Sequence, residues 1–239
     1  MTVLGIETAT TVCSAAIVRD AHVLSERTLD EKNVHAEKVL TLITEALSAS
    51  GCALKAVDGI AVSIGPGSFT GLRIGLSVAK GLTFSLGTPL LAVPTLRALA
   101  QKVVDIGEAG PNTHVLPVLD ARRDEVYCQC FRLEGTKLIP LWPERDMTVA
   151  DLLEQIRGLD VVVTGDAHRK LQSAVTSGGE GENGLIRFVN EAASKCSAAT
   201  VARIGEEMLV EDRASEPGSL EPMYIKDIFY KNPSVVHQR

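Results

Sequence analysis

TVLGIETATTVCSAAIVRDAHVLSER, residues Thr2 to Arg27, decides how the rest of the chain is read. It holds three short apolar runs, Thr2–Glu7, Val12–Val18 and Val23–Arg27, each bounded by polar or turn residues. Such runs read as strands, with Arg19-Asp20 as the turn between the second and third. After a polar connection over Thr28–Asn33, His35–Ser50 carries Val39, Leu40, Leu42, Ile43, Ala46 and Leu47 at helical spacing, and Gly51 stops it. Val57–Ile64 then reads as strand, Thr70–Leu86 as a helix ended by Gly87, Leu90–Val93 as strand and Thr95–Asp105 as helix. A three-strand meander followed by alternating helices and strands is the ribonuclease-H-like order of elements.

Glu108–Thr113, with Gly110-Pro111-Asn112, reads as a linker. Beyond it the order repeats: strands at Val115–Asp120, Glu125–Arg132 and Lys137–Leu141, a helix at Val149–Arg157 and a strand at Leu159–Thr164. A less clear stretch follows, with a mobile loop expected at Gly178–Gly181. Leu185–Phe188 reads as strand, Ser197–Val210 as helix, and the tail from Pro217 as irregular. The expected fold is α/β, two tandem ribonuclease-H-like domains of the acetate-kinase/actin-like superfamily, at residues 1–107 and 108–239. The helix at Ser197–Val210 is expected to pack back on the first domain.

Among 239 residues, 24 basic and 30 acidic side chains leave a net charge of −6, which argues against autonomous nucleic-acid binding. Cys13, Cys52, Cys128, Cys130 and Cys196 match no zinc spacing and read as buried reduced thiols in a cytoplasmic protein. Met1 leads directly into a strand, so no secretory leader is expected. The apolar stretch Phe69–Leu86 contains Arg73 and Lys80, whose burial in lipid is costly, so no membrane span is expected.

Four segments are candidates for chemistry or docking. Glu7-Thr8-Ala9-Thr10 places a carboxylate and small hydroxyls at a strand end, where a cation and a phosphate could sit; an ordinary strand end is the alternative. In Gly65-Pro66-Gly67-Ser68-Phe69-Thr70-Gly71, the amides of Gly65, Gly67 and Ser68 could cradle an anion, or the segment is a tight turn with Ser68 or Thr70 as helix cap. The helix that follows is apolar all round, and its Gly71, Gly75 and Ala79 form a small-residue row suited to the approach of another helix. A subunit interface is therefore expected there, over Gly71, Leu72, Gly75, Leu76, Ala79 and Leu82, and on His35, Val39 and Ile43 of the preceding helix. Asp120 and Arg122, in Asp120-Ala121-Arg122-Arg123-Asp124-Glu125, either bind phosphate or belong to an ion-pair network. His22, His35, His114, His168 and His237 are isolated, so neither a metal site nor a catalytic triad can be singled out.

Several of these segments together are similar to the TsaB (YeaZ) family, which helps make threonylcarbamoyladenosine in tRNA. The matching pieces are Val3–Thr10, His35-Ala36-Glu37, Gly65–Gly75, Asp120–Tyr127, Thr164-Gly165-Asp166 and Pro222-Met223-Tyr224-Ile225-Lys226. Glu7 departs from the more usual Asp, and Lys226 from a common Arg. The resemblance implies a non-catalytic paralogue of the metal-dependent transferase TsaD, with Thr95 and Leu99 where TsaD-type sequences carry two metal-binding histidines. It also implies a heterodimer with a TsaD-like transferase, association with a TsaE-like ATPase, a homodimer in isolation and only indirect contact with tRNA. On this reading the chain needs no cofactor of its own, and ATP or ADP is held at the complex interface. The rival expectation is an ATP-dependent enzyme of the actin-like superfamily, and a more distant one is a metallopeptidase.

Overall fold

The strand Thr2–Glu7 (β1) runs through the middle of the first sheet, and all six of its residues are buried. A strand can be buried throughout only if both faces of its sheet are covered, because alternate side chains point to opposite faces. A computed structural model of the chain, describing residues 1–111, 113–177 and 185–226, shows the two covers. The sheet adds β2 (Val12–Arg19), β3 (His22–Asp30), β4 (Gly59–Gly65) and β5 (Leu90–Pro94), in the order β3-β2-β1-β4-β5. β2 is antiparallel to β1, while β4 and β5 follow in parallel.

One face carries α1 (His35–Ser50) and α2 (Phe69–Leu86), which bury Leu4 and Ile6 of β1 against Val39, Ile43, Leu76 and Ala79. The other face carries α6 (Ala198–Val210), whose Val201, Ala202 and Ile204 cover Val3, Val18, Ala61 and Leu91. The last helix thus packs back on the first sheet. A Cβ on Gly5 would lie 2.1 Å from the Ala198 carbonyl, so glycine is what admits this helix to the strand. α3 (Thr95–Asp105) lies between the halves, packed on α6 and on β6 (His114–Asp120). The β2–β3 turn is one residue later than expected: Asp20 and Ala21 both have positive φ, and both their amides donate to the Glu206 carboxylate of α6 at 2.7 Å.

In the second half, β6 pairs in parallel with β11 (Val161–Thr164), and β11 with β12 (Ile186–Phe188). The single strand expected over Glu125–Arg132 is two, β7 (Glu125–Cys128) and β8 (Phe131–Glu134). Both pair with β6, but outside it β7 pairs with β10 (Arg145–Thr148) and β8 with β9 (Lys137–Pro140). The change of outer neighbour breaks the run at Gln129-Cys130. Cys128 and Cys130 nonetheless share one buried cluster, as period two requires. β10 and α5 (His168–Ser177) are additions to the expected order, and α4 (Val149–Gln155) begins at an N-cap made by Thr148. Asn112 of the linker, the loop expected at Gly178–Gly181, and the tail with Pro233 and His237 lie outside the described residues. Among the described residues, no helix is long and apolar enough to cross a membrane.

Candidate functional site

The two halves present facing corners, each at the end of a central strand. In the first corner Glu7 is fully buried, and one of its carboxylate oxygens accepts the Ala9 amide. The other oxygen, the Thr8 hydroxyl and the Ser63 hydroxyl of β4 find no hydrogen-bond partner. Burial pushes the Glu7 carboxyl up to about 7, against the opposing effects of the Ala9 amide and the nearby Ser63 hydroxyl.

The Gly65–Gly71 loop closes over this corner. The Ser68 amide donates to the Ala9 carbonyl at 2.7 Å, the Gly65 amide to the Thr95 hydroxyl at 3.1 Å and the Gly71 amide to the Ser68 hydroxyl at 3.3 Å. Ser68 is thus the N-cap of α2, which starts one residue earlier than expected. Of the Gly65, Gly67 and Ser68 amides an anion would need, those of Gly65 and Ser68 are engaged inside the chain. A Cβ on Gly67 would lie 2.3 Å from the Ala9 carbonyl, one on Gly71 2.1 Å from the Thr8 carbonyl, and one on Gly75 2.2 Å from the Thr8 hydroxyl.

These distances correct the expected interface. Gly71 and Gly75 of the small-residue row meet the chain's own Thr8, and Ala79 lies in the core cluster with Val39 and Ile43 of α1. Leu72, Leu76 and Ala79 are core residues, as are Val39 and Ile43, and His35 is buried with its ring 3.2 Å from the Val12 carbonyl. Leu82 is half-buried against the same core. The outward positions of these helices are others: Phe84 of α2 is 93% exposed and Leu40 of α1 is 56% exposed. Sequence reading missed them because an apolar residue at either phase of an all-apolar helix looks the same.

In the second corner Asp120 is exposed, paired with the Lys170 ammonium and accepting the Arg122 amide at 3.0 Å. Burial acts to raise its pKa, but these two contacts prevail and hold it below the usual carboxylate value. Lys170 also donates to the carbonyls of Arg123 and Glu125, at 2.9 and 3.2 Å. Arg122 and Arg123 both have positive φ, and the turn is held by the ammonium of Lys170, a residue outside the quoted segment. The Asp120 amide donates to Asp166 at 2.8 Å, and burial raises the Asp166 carboxyl despite that bond.

A cavity of about 230 Å³ lies between the corners. Its wall includes Thr10 and Thr11 from the first corner, Asp166 and His168 from the second, and Cys196 just before α6. None of Glu7, Thr8, Gly65, Gly67, Ser68, Asp120 and Arg122 lines it. The quoted Glu7–Thr10 and Thr164–Asp166 motifs end on wall residues, Thr10 and Asp166, and the wall continues to Thr11 and His168. Burial, with Glu7 and Asp166 nearby, lifts the Cys196 thiol well above its ordinary value, so it stays protonated and is no ready nucleophile. The cations of the wall are matched: Lys195 pairs with Asp30, and Arg169 with Glu191. The cavity can admit a small polar group but presents neither a nucleophile–base pair nor a free cation cluster for a polyphosphate.

The family model described as TsaD, tRNA N6-adenosine threonylcarbamoyltransferase, matches residues 22–222. A tRNA threonylcarbamoyladenosine biosynthesis protein TsaB from Bacillus subtilis is 31% identical over 160 residues, 67% of this chain and 68% of that protein. The chain is a TsaB/YeaZ member of the TsaD family. A TsaB from Haemophilus influenzae is 36% identical over 132 residues, covering 53% of this chain and 52% of that protein, so the chain spans about half the length of this curated relative. In structure the similarity is wider. YeaZ from Pseudomonas aeruginosa superposes with a TM-score of 0.77 at 27% identity, covering 93% of this chain and 99% of that one. The mixed α/β architecture with two sheets is therefore that of YeaZ.

Proposed function

We propose that this chain is a non-catalytic scaffold and activator subunit for threonylcarbamoyladenosine formation on tRNA. It binds a TsaD-like transferase and, through that complex, a TsaE-like ATPase, in a cytoplasm whose reducing conditions suit five free buried cysteines. Its architecture on this reading is a tandem pair of ribonuclease-H-like units, the first with sheet order β3-β2-β1-β4-β5 and an antiparallel β2. The relatives named for threonylcarbamoyladenosine biosynthesis supply the pathway.

The observation that carries the non-catalytic part is the use made of Thr95 and Leu99, which the family resemblance aligns with the transferase's metal-binding histidines. The Thr95 hydroxyl accepts the Gly65 amide, and both residues are sealed in the core. Neither can serve as an imidazole ligand. Nucleotide belongs, on this reading, to the joint between subunits, and the chain requires no cofactor of its own. Docking falls to the outward side of α1 and α2, where Phe84 and Leu40 are exposed, and the same face pairs two copies when the partner is absent.

Reconstituted tRNA modification, run with and without this chain, tests the proposal. Modification is expected to need the chain, and Phe84→Asp is expected to abolish co-purification of the transferase while leaving the circular dichroism spectrum unchanged. Equal modification without the chain overturns the activator role, and normal co-purification of Phe84→Asp overturns the docking face. Calorimetry of the isolated chain with ATP and magnesium separates the rival: tight binding with turnover favours an ATP-dependent enzyme.

A further inference from the structure

After α6 the chain does not end on the first sheet. Ser215 pairs with Leu90 of the edge strand β5, and Leu220 and Met223 pack on the core under α1 and α2. The Met223 amide donates to the Ile64 carbonyl at 2.7 Å, and the Met223 carbonyl lies 2.5 Å from where a Gly65 Cβ would stand. Tyr224 then meets α2: its hydroxyl accepts Arg73 Nε at 2.9 Å, and its ring centroid is 5.1 Å from that of Phe69. Two residues later Lys226 has reached the second half. Its ammonium pairs with Glu125, donates to the Ala121 carbonyl at 3.0 Å, and lies 3.8 Å from Asp146 of β10.

One segment, turned at 217–219 and bent at 225–226, therefore contacts both corners. On the first side the contact passes from Met223 through the Gly65–Ser68 loop to Ala9, next to Thr10 in the cavity wall. On the second side it passes from Lys226 through Ala121 to Asp120 and so to Asp166, also in the wall. We propose that residues 215–226 are a clasp that sets the spacing of the two corners and hence the width of the cavity between them. Each grip is a cluster of ordinary strength, and the mechanical effect comes from their being two residues apart on one chain. A chain spans at most about 3.6 Å per residue, so while both grips hold, Tyr224 and Lys226 stay within about 7 Å of each other. The corners can separate only if one grip opens. The inference does not rest on the scaffold role, since it concerns the isolated chain and needs no partner.

Hydrogen exchange on the full-length chain tests it through coupling between the ends. Lys226→Met cuts the second grip alone, and Tyr224→Ala weakens the first alone, leaving the Met223–Ile64 bond in place. Lys226→Met is expected to speed exchange of the Ser68 and Met223 amides, which Lys226 does not touch. Tyr224→Ala is expected to speed exchange of the Ala121 and Glu125 amides. A change on the order of fivefold or more, the lower end of ordinary coupling between sites, is expected in each direction. Lys226→Arg, which keeps charge and reach, should restore the parent pattern. If Tyr224→Ala fails to fold, Tyr224→Phe, which deletes only the bond to Arg73, serves in its place. Should each substitution loosen only the end it touches, the segment is two independent contacts and the clasp is overturned.

Discussion

Glu7 combines burial with a missing partner. Its carboxyl titrates near 7 in the folded chain against 4.5 for the ordinary group. Between those values the folded state binds more protons than the unfolded state, so stability falls as pH rises through this window. Full ionisation costs about 3 kcal/mol, at 1.36 kcal/mol per pKa unit. Glu7→Gln keeps an oxygen for the Ala9 amide and turns an amide donor toward the unpartnered Ser63 hydroxyl. It is expected to be more stable than the parent at pH 8, by up to about 3 kcal/mol, and no more stable at pH 5. Denaturant midpoints at the two pH values check this; a parallel loss at both would show that the carboxyl does not titrate near neutrality. The sequence marked Glu7 as a strand-end carboxylate. It could not show that the partner-free oxygen is sealed behind Thr8 and the glycines of another element, because that depends on contacts between residues some sixty positions apart.

Helix α2 shows what a residue pattern reveals and what it hides. Its ends were legible, since Ser68 can cap and Gly87 takes the left-handed conformation that stops a helix. Apolar all round did not mean buried all round: Gly71, Leu72, Gly75, Leu76, Ala79 and Thr83 form one buried stripe, and Phe84 on the other side is exposed. Which neighbour meets the glycine row was not legible, for a row of small residues fits a partner helix and a crossing loop equally well. The structure separates glycines that look alike. A Cβ on Gly75 would lie 2.2 Å from the Thr8 hydroxyl, whereas Gly81 is exposed with nothing near its Cβ position. Gly81→Ala is therefore expected to stabilise by about 1 kcal/mol through helix propensity alone. Gly75→Ala gains the same propensity but forces the overpacked Thr8 to move, and a net loss of about 1–3 kcal/mol is expected. Thr8→Ala in the Gly75→Ala background should recover part of that loss. Urea unfolding of the four chains reads out the cycle, and a stabilising Gly75→Ala would show that the corner is looser than its distances indicate. The second half was less legible for a related reason: β7 and β8 form one apolar run along β6 and are divided only by which strand lies outside each.

At the scale of the whole chain, α6 turns a sequence of two halves into one interlocked body. It is built from residues 198–210, yet it covers the far face of the first sheet, and its Glu206 holds the β2–β3 turn. The helix itself was visible from its spacing. Its destination followed only from the element order, because nothing in Ala198–Val210 names the sheet it will meet. The signature of that destination lies elsewhere, in Gly5 and Gly205, where helix and sheet approach most closely: a Cβ on Gly205 would lie 2.5 Å from the Ala61 Cβ. Gly205→Val should consequently lift α6 from β4 and cost about 1–3 kcal/mol or more, as core overpacking does. If α6 is the lock, the damage must spread from the helix to separate parts of the first sheet. Exchange should rise at Asp20 and Ala21, whose amides α6 caps, and also at Ser215, which follows it onto β5. A rise confined to the helix would mean that the first sheet holds its shape without it, and that the chain is two independent domains with a shared cover.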